Sequence, residues 1–474
     1  MIFSHSSPES KAQFRQYWAA ITVNIGMMSG GEYFGWPSPT LPKFSEPDAP
    51  FQITHDDITM MVSLLYLGNI LSPIPTGYIM DRFGRKKSLI FCSIFPILSW
   101  ILIVFAKSPI YLCISRLLAG IWVGIITTVA PMYTAEIASP KIRGALGNMF
   151  SFMTYLGTLF VYAIGPYVSF YTLAIIADII PVYFLLMLIS IPESPYYYLI
   201  HKNKQGAIQS LKWLRGGVEE EILEKEVNEI EEFIQKQAKS KNTVKAIFAT
   251  RANRKAFFIV QLYGIFVKFA GIGILMAFNS ITLPKANLGF LRPQECSIVL
   301  ALIWVIFSVC SMFLVDRLGR KMLLTSTSFG CGVMMFIAGL WFYLQTNTTL
   351  TVEKVSWIPF ACFAAHGIMY ALGLGPIGTA IKGEMLSADI RASASAITSI
   401  VFALSSLFLN QTYLPIADNI GMYVNYWIYA ASCFICALFT IFVFVETKGK
   451  SLQEIQQKLH KKKPKPLDCK ANTV

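Results

Sequence analysis

The sequence contains one short charged segment twice. Asp81-Arg82-Phe83-Gly84-Arg85-Lys86 returns 235 positions later as Asp316-Arg317-Leu318-Gly319-Arg320-Lys321. Each copy lies between two long apolar runs, so the chain contains two related halves with the same charged loop at the same membrane face. This repeat predicts a helical membrane bundle with an internal twofold repetition.

Long apolar runs account for most of the chain. Hydrophobic residues make up 54% of the 474 positions, charged residues make up 14%, and the mean hydropathy is +0.53. A membrane-spanning helix needs about 20 apolar residues. Twelve such runs lie at 16–36, 59–80, 88–106, 110–133, 145–165, 171–191, 256–281, 295–315, 322–344, 357–386, 392–414 and 421–445. We predict an all-α membrane protein with twelve transmembrane helices in two pseudo-symmetric six-helix bundles.

The boundaries of these runs divide the chain into four parts. We expect an N-terminal bundle, a cytoplasmic linker with short amphipathic helices, a C-terminal bundle and a cytoplasmic tail, at 1–192, 193–255, 256–445 and 446–474. Apolar residues recur at helical spacing within the linker. They are Leu223, Val227, Ile230 and Ile234.

Positive charge is distributed unevenly between the two sides. Most of the 40 Lys and Arg residues fall in loops on the side of the termini, five fall in the opposite loops, and only Arg116 and Lys268 are assigned to span interiors. The positive-inside rule then predicts a multi-pass protein with both termini in the cytoplasm. Asn347-Thr348-Thr349 is a glycosylation sequon in a predicted outer loop, which fits a plasma-membrane location.

The polar residues do not form an enzyme-like constellation. Cys433 and Cys436 are interpreted as packing residues and His366 as a hydrogen-bonded interior histidine, because neither has acidic or histidine neighbours at metal-ligand spacing. No phosphate-binding loop or nucleophile motif is present. We therefore expect no enzymatic activity, no cofactor and no metal. The net charge of +13 is assigned to cytoplasmic loops, so the expected partners are the lipid bilayer and a small solute rather than nucleic acid.

Two further charged motifs repeat in the same order. In one, acid and base stand seven positions apart, in Glu136/Arg143 and in Glu384/Arg391. In the other, an acid follows the last span of each half, at Glu193 and at Glu446. Screened pairs at a membrane interface are worth about 0–1 kcal/mol each, so several must act together to bias a conformational state. We hypothesise gating salt bridges, whereas the simpler interpretation is that positive charge anchors the loops. The gating set is Asp81, Arg82, Arg85, Glu136, Arg143, Glu193, Asp316, Arg317, Arg320, Glu384, Arg391 and Glu446.

Taken together, these motifs resemble the sugar-porter branch of the major facilitator superfamily. The resemblance is carried by the two Asp-Arg-x-Gly-Arg-Lys loops, Pro131-Met-Tyr-Thr-Ala-Glu136, Pro192-Glu-Ser-Pro195 and Glu446-Thr-Lys-Gly449, and it is closest to the insect facilitated trehalose transporters. It implies two six-helix bundles, alternating access and a sugar site at mid-membrane between the halves.

The residues expected to contact the sugar depart from the pattern of the family. In the resembled family the seventh helix carries amide side chains where this chain has Val267, Lys268 and Gly273. In other helices the resemblance implies a Gln, an Asn and a Trp where this chain has Tyr162, Trp304 and Thr379, respectively. Hexose specificity is therefore not carried over, since a lost hydrogen bond to a buried hydroxyl costs about 1–3 kcal/mol. The expected substrate cavity is lined by Lys268, Tyr162, Trp304, Asn279, Thr379 and Gly273.

Ionisable residues lie in the predicted spans. Lys268 falls near mid-membrane, where an unpaired charge is costly, so we expect an acidic partner for it. Glu32 stands where proton-coupled members of the resembled family carry an acid, with Arg116 at the position of their paired arginine and Asp178 at similar depth. Either Glu32 carries a proton during the cycle, or Glu32 and Arg116 form a permanent structural ion pair.

The tenth predicted span contains Gly373-Leu-Gly-Pro376-Ile-Gly378, which interrupts helical hydrogen bonding. We interpret it as a gating hinge, with a static kink as the alternative. The predicted function is alternating-access transport of a sugar, trehalose or hexose-like, by facilitated diffusion. One alternative is a proton-coupled symporter of a non-sugar solute, and a second is a membrane receptor or sensor that binds without transporting.

Overall fold

The computed structural model describes residues 8–139, 142–239, 244–283, 292–349, 355–387 and 390–448, together with 454 and 458. All of its regular elements are helices. In chain order they are α1 Pro8–Gly35, α2 Pro37–Thr40, α3 His55–Leu71, α4 Pro73–Phe83, α5 Arg85–Cys92, α6 Ile94–Val104, α7 Pro109–Ile137, α8 Arg143–Ile164, α9 Phe170–Leu188, α10 Pro195–Ile200, α11 Lys204–Leu214, α12 Glu220–Lys239, α13 Val244–Ala249, α14 Arg251–Phe269, α15 Ile272–Thr282, α16 Pro293–Leu318, α17 Arg320–Asn347, α18 Ile358–Met369, α19 Gly375–Met385, α20 Arg391–Asn419 and α21 Met422–Phe442.

The helices correspond to the twelve predicted runs. Within the described part of the chain, ten helical spans are long and apolar enough to cross a membrane, and α3 with α4, bent by 44°, makes an eleventh. Helix α1 has 28 residues and corresponds to the first run. The third, seventh and tenth runs each consist of two consecutive helical segments, at α5–α6, α14–α15 and α18–α19. The all-α prediction of twelve helices is confirmed by this arrangement.

Glycines mark the points where the backbone must turn sharply. Gly84 and Gly319 have φ of 98° and 86° and join the helices on either side of the two repeated charged loops. Gly271 has a φ of 87° and separates α14 from α15. A side chain is strained in this left-handed region, so glycine is the residue that permits each turn.

The two sets of six spans contact each other most extensively through three pairs of helices. Helix α8 packs on α16, α3 packs on α20, and the short α2 packs on α15. Each set also packs internally, with α3 against α7 and α1 against α8 in the first, and α17 against α21 in the second. The interface between the sets is therefore built by helices that surround the centre of the molecule.

The predicted amphipathic helix of the linker is present as α12. Its residues Leu223, Val227 and Ile230 are buried in a small apolar cluster with Leu199 and Leu211 of the preceding linker helices. The linker also contacts the first set of spans. Arg215 Nη1 donates to the Ile137 carbonyl at 3.1 Å, and Arg15 and Gln16 of α1 donate to the carbonyls of Trp213 and Leu214.

Candidate functional site

The first repeated loop holds a cluster of charges at the end of α7. Arg85 Nη2 donates to Glu136 Oε1 at 2.8 Å, and the Ser194 hydroxyl donates to the other oxygen of that carboxylate. Glu193 accepts the backbone N–H groups of Arg85 and Lys86 at 2.8 and 3.0 Å. Its carboxylate therefore occupies the N-terminus of α5, where it meets both unpaired N–H groups and the positive end of the helix dipole.

The second loop repeats this arrangement residue by residue. Arg320 Nη2 donates to Glu384 Oε1 at 3.1 Å, and the Thr447 hydroxyl donates to Glu384 Oε2 at 2.5 Å. Glu446 accepts the backbone N–H groups of Arg320 and Lys321 at 3.1 and 2.9 Å. The two clusters are thus related in contacts as well as in sequence, and the ion pairs Arg85–Glu136 and Arg320–Glu384 each lie within one half of the molecule.

Glu446 is also bonded from the tail side of its loop. The backbone N–H of Lys448 donates to its carboxylate at 2.9 Å. Burial works to raise the pKa of Glu446, but the N–H groups of Lys448, Lys321 and Arg320 outweigh it and hold the pKa below its ordinary value. Lys448 Nζ donates to the Arg317 carbonyl at 2.6 Å, which closes the loop over the cluster.

Three further members of the predicted gating set lie outside these two clusters. The side chains of Asp81, Arg82 and Arg317 are exposed. Arg82 lies with its guanidinium carbon 5.5 Å from the centre of the Phe83 ring. The side chains of three further members lie outside the described part of the structure: Arg143, Asp316 and Arg391.

Polar contacts join the two halves at the opposite face of the bundle. Tyr162 Oη donates to the Met276 carbonyl at 2.5 Å. Ser63 Oγ donates to Gln411 Oε1 at 2.7 Å. His55 Nδ1 lies 3.3 Å from Asp418 Oδ2. These contacts close the interface between α3, α8, α15 and α20 at the end opposite the charged loops.

A small pocket of about 50 Å³ lies beside these contacts. Its lining comes from both halves and includes Lys43, Tyr162, Ser280 and Ser297. Lys43 Nζ donates to the carbonyls of Gly165 and Val168, and burial lowers the pKa of its ammonium group. Tyr162, predicted to line the cavity, therefore lies at the outer pocket with its hydroxyl bonded to the other half.

The predicted ion pair between Glu32 and Arg116 is not formed, and that expectation is wrong. Arg116 Nη2 donates to the Tyr33 carbonyl at 2.7 Å, and its guanidinium carbon lies 5.4 Å from the centre of the Trp36 ring. Both carboxylate oxygens of the fully buried Glu32 lack a hydrogen-bond partner in the described structure, as does Oδ1 of Asp178. Arg116 thus contacts a carbonyl and an aromatic face, while its Nε and Nη1 have no hydrogen-bond partner in the described structure. Asp178 lies close enough to Glu32 for its charge to act on that carboxyl group.

The acidic partner expected for Lys268 is also absent from the described residues, and this expectation is wrong. Lys268 Nζ lies 5.6 Å from the centre of the Phe402 ring, and Lys382 Nζ lies 4.6 Å from the same centre. Two cations therefore converge on one ring between α14, α19 and α20. The sequence analysis did not identify Lys382 as an interior charge. Residue 382 falls inside the apolar run 357–386, but it is close to the end of that run and was grouped with the loop charges.

The other predicted cavity residues are packed among helices. Trp304 is fully buried, with its ring 6.2 Å from that of Tyr155. Asn279 is fully buried, and its Nδ2 donates to Ser297 Oγ at 3.2 Å. Gly273 is half-buried on α15. The side chain of Thr379 lies outside the described part of the structure.

Two irregular segments face each other near the centre of the second half. The tenth span contains a π-helical turn at Tyr370–Leu374, where we predicted a hinge. Tyr263 Oη donates to the Leu374 carbonyl in this turn. His366 Nε2 donates to the Ala270 carbonyl at 3.0 Å, directly before the break at Gly271. The interior, hydrogen-bonded histidine is confirmed, and its partner is a carbonyl at the helix break.

Comparison with known proteins gives consistent relatives. Residues 5–459 match the family model described as sugar (and other) transporter. The facilitated trehalose transporter Tret1 of Bombyx mori is 30% identical over 94% of this chain and 86% of the relative. Tret1 of Drosophila willistoni is 28% identical over 94% of this chain, which spans only 51% of that relative.

Solved structures of the xylose transporter XylE from E. coli share the fold. One, titled as a partially occluded inward-open conformation, has a TM-score of 0.76 at 22% identity, covering 93% of this chain and 100% of that one. Another, titled as a proton:xylose symporter of the major facilitator superfamily bound to 6-bromo-6-deoxy-D-glucose, has the same score and identity and covers 94% and 99%. At this identity the likeness concerns the fold.

Proposed function

The chain belongs to the sugar (and other) transporter family, and on that premise we propose that it carries a sugar, trehalose or a hexose, across the plasma membrane by facilitated diffusion. The proposed cycle is alternating access, in which the two halves move around a site between them. The relatives named as facilitated trehalose transporters support this choice of solute.

The observation that carries the proposal is the matched pair of charge clusters. Arg85–Glu136 and Arg320–Glu384 each fix a loop to the end of a neighbouring span within one half. Each half is thereby stiffened at its cytoplasmic end and can move as one body. The halves pack on each other through α8 with α16 and α3 with α20, and hydrogen bonds such as Tyr162–Met276 join them at the outer face. Each such hydrogen bond can break at small cost when the outer side opens.

We place the solute between the halves at the level of Lys268 and Gly273, inside the closed outer contacts. Tyr162, Asn279, Trp304 and Thr379 are retained as candidate lining residues for the open states of the cycle. Asn279 Oδ1 and Trp304 Nε1 are buried without a hydrogen-bond partner in the described structure, so each is available to a sugar hydroxyl once the halves separate.

Uptake of labelled trehalose and glucose into vesicles that contain the purified protein tests the proposal. We expect saturable uptake that stops when the concentrations inside and outside are equal, since no energy source is coupled. Arg85→Ala and Arg320→Ala should each reduce the rate, and protein-free vesicles give the baseline. Absence of uptake of any sugar would contradict the proposal.

Proton coupling is a second candidate, favoured by the carboxyl groups of Glu32 and Asp178. Both lie in the first half, and neither the two oxygens of Glu32 nor Oδ1 of Asp178 has a hydrogen-bond partner in the described structure. Two adjacent carboxyl groups share a proton readily, because both cannot ionise at low cost. We expect Glu32→Gln to remove any pH dependence of uptake; unchanged dependence in this variant would exclude Glu32 as the proton carrier.

The proposed topology places both termini in the cytoplasm and Asn347 outside. Asn347 is exposed at the end of α17, which supports its use as a glycosylation site. Treatment of the protein from an insect cell membrane with an N-glycosidase should shift its mobility, and Asn347→Gln should abolish the shift. A shift that persists in this variant would place the glycan elsewhere.

A further inference from the structure

Two lysines in the second half point at one aromatic ring. Lys268 on α14 and Lys382 on α19 lie 5.6 and 4.6 Å from the centre of the Phe402 ring. Because these distances add to 10.2 Å, the two ammonium nitrogens can be no further apart than that. Two like charges are thus held close together in the interior of a membrane bundle.

Nothing in the described structure neutralises this charge. No carboxylate lies within salt-bridge distance of either lysine in the described part of the chain, and the nearby Glu384 accepts from Arg320 and Thr447. Each cation–π contact offsets part of the desolvation cost, but it leaves both positive charges in place. Both side chains are half-buried rather than sealed in the core, so a ligand can reach them.

The ring is held firmly between the two lysines. A methyl group added at Gly264 of α14 would lie 1.7 Å from Phe402 Cε1, so the ring occupies the space beside that glycine. One turn before Phe402 on α20, Thr398 Oγ1 accepts from Gln261 Nε2 at 2.7 Å. Gln261 is 7% exposed, and its Oε1 has no hydrogen-bond partner in the described structure. Gln261 lies seven positions, two helical turns, before Lys268 and therefore on the same face of α14.

We propose that Lys268 and Lys382 bind an oxyanion of the transported solute, so that the solute is an acidic sugar bearing a carboxylate or a phosphate. The two ammonium groups would meet the anion with charge-assisted hydrogen bonds, and the free Gln261 Oε1 would accept from a hydroxyl. A sugar lying against Phe402 would use the ring face for its apolar C–H surface. This inference rests on the proposed transport function and specifies its solute.

Binding and uptake of three sugars in the vesicle assay test the site. Labelled glucose, glucuronate and glucose 6-phosphate are offered separately, with the full-length protein in the membrane. We expect an anionic sugar to be bound at least about tenfold more tightly than glucose, since charged hydrogen bonds contribute more than neutral ones. Preference for glucuronate identifies a carboxylate site, and preference for glucose 6-phosphate identifies a phosphate site.

Variants assign the preference to the two lysines. Lys268→Gln and Lys382→Gln should each weaken anion binding about tenfold, while Lys268→Arg and Lys382→Arg should retain it. Lys107→Gln, at an exposed position of an outer loop, is the matched control and should behave as the wild type. Should a transport-deficient variant arise, binding of the same sugars to detergent-purified protein is followed by the rise in its melting temperature.

The outcomes separate this inference from the proposed function. Transport of glucose with no binding of either anion overturns the anion site and leaves sugar transport standing. An anion preference that survives in the Lys268→Gln, Lys382→Gln double variant overturns the assignment to these lysines. Transport of an anionic sugar, lost in the double variant and kept with arginine, supports both. No uptake and no stabilisation by any of the three sugars overturns both.

Discussion

The two halves of the molecule agree at the ends that carry the repeated charged loops and differ at their centres. At the ends, Arg85–Glu136 and Arg320–Glu384 make the same contacts. At the centres, the first half contains the unpaired carboxylate of Glu32, whereas the second half contains Lys268 beside Lys382. The paired charges and the unpaired charges therefore have different roles in this fold. The paired charges stabilise each half, and the unpaired charges are available to a proton or a solute.

The largest effect on stability is expected at these ends, when one arginine of a cluster is replaced. Arg85 and Glu136 have side chains that are 4% and 12% exposed, against 15% and 27% for Arg320 and Glu384. Arg85→Ala leaves a carboxylate uncompensated in the more buried site, so we expect a loss of about 3–5 kcal/mol. Arg320→Ala should cost less, about 1–3 kcal/mol.

Thermal unfolding of the purified variants in detergent measures this order. Lys107→Ala, at an exposed outer position, is the control and should leave the melting temperature unchanged. Equal losses for Arg85→Ala and Arg320→Ala would show that the difference in burial between the two clusters has no energetic consequence.

The next effect concerns how closely helices approach in each half. A methyl group added at Gly120 would lie 1.9 Å from the backbone carbonyl oxygen of Leu65, whereas one at Gly367 would lie 1.9 Å from Nε1 of the Trp304 side chain. Gly120→Ala must separate two helices, so we expect a loss of about 1–3 kcal/mol, near the top of the range for overpacking. Gly367→Ala should cost less, because an indole can shift more easily than a backbone.

Gly77→Ala provides the control for both glycine variants. An added methyl group at Gly77 meets nothing within 4 Å, and the residue lies inside α4, where alanine is the better helix former. Its melting temperature should be unchanged or slightly raised. A larger loss at Gly367 than at Gly120 would reverse the expected order of the two halves.

Removing one charge at the centre of either half should have a smaller effect of opposite sign, a rise in the melting temperature. The two ammonium nitrogens are no more than 10.2 Å apart, so their charges repel by at least about 1–2 kcal/mol at an effective dielectric constant near 20. Lys382→Met removes this repulsion and keeps a long apolar chain against Phe402, so the ligand-free protein should melt at a higher temperature. Asp178→Asn should stabilise the first half in the same sense, by removing a charge near Glu32. A lower melting temperature for either variant would mean that the charge has an unrecognised structural partner.

The smallest effect is expected at the outer face. His55 and Asp418 join the halves across 3.3 Å, but their side chains are 76% and 54% exposed. Exposed pairs contribute little, so His55→Ala should change stability by no more than about 0.5 kcal/mol. Denaturation curves of the two proteins should overlap within that margin. A larger shift would indicate that the closed outer side depends on this contact.

The sequence predicted the ends of the molecule well and its centre poorly, for a physical reason. Loop motifs such as Asp81–Lys86 carry their spacing in the chain, because a turn glycine and the helix start behind it fix where the charges lie. The repeat therefore identified Arg85, Glu136 and Glu193 together with their counterparts. The amphipathic helix at Glu220–Lys239 was equally visible, since its periodicity is local.

Contacts between distant helices were not available from spacing. Arg116 was expected to pair with Glu32, but it donates to the Tyr33 carbonyl and lies over the Trp36 ring instead, and a sequence does not show which partner an arginine will contact. Lys382 was not predicted as an interior charge, because residue 382 lies near the end of its predicted span. A long lysine side chain reaches well into the bundle from such a position, so the depth of its charge depends on the direction of the side chain as well as on the position of its Cα.

The hydrogen bond from His366 to the Ala270 carbonyl links two deformable places in the second half. The carbonyl precedes the break at Gly271, and the histidine stands four positions before the π-helical turn that begins at Tyr370. We therefore expect a tilt of the seventh span beyond Gly271 to move the tenth span at its π-helical turn, so that the two spans bend together. Loss of this link would slow turnover while leaving the selection of solute intact, which makes His366 a position where speed and selectivity can be changed separately.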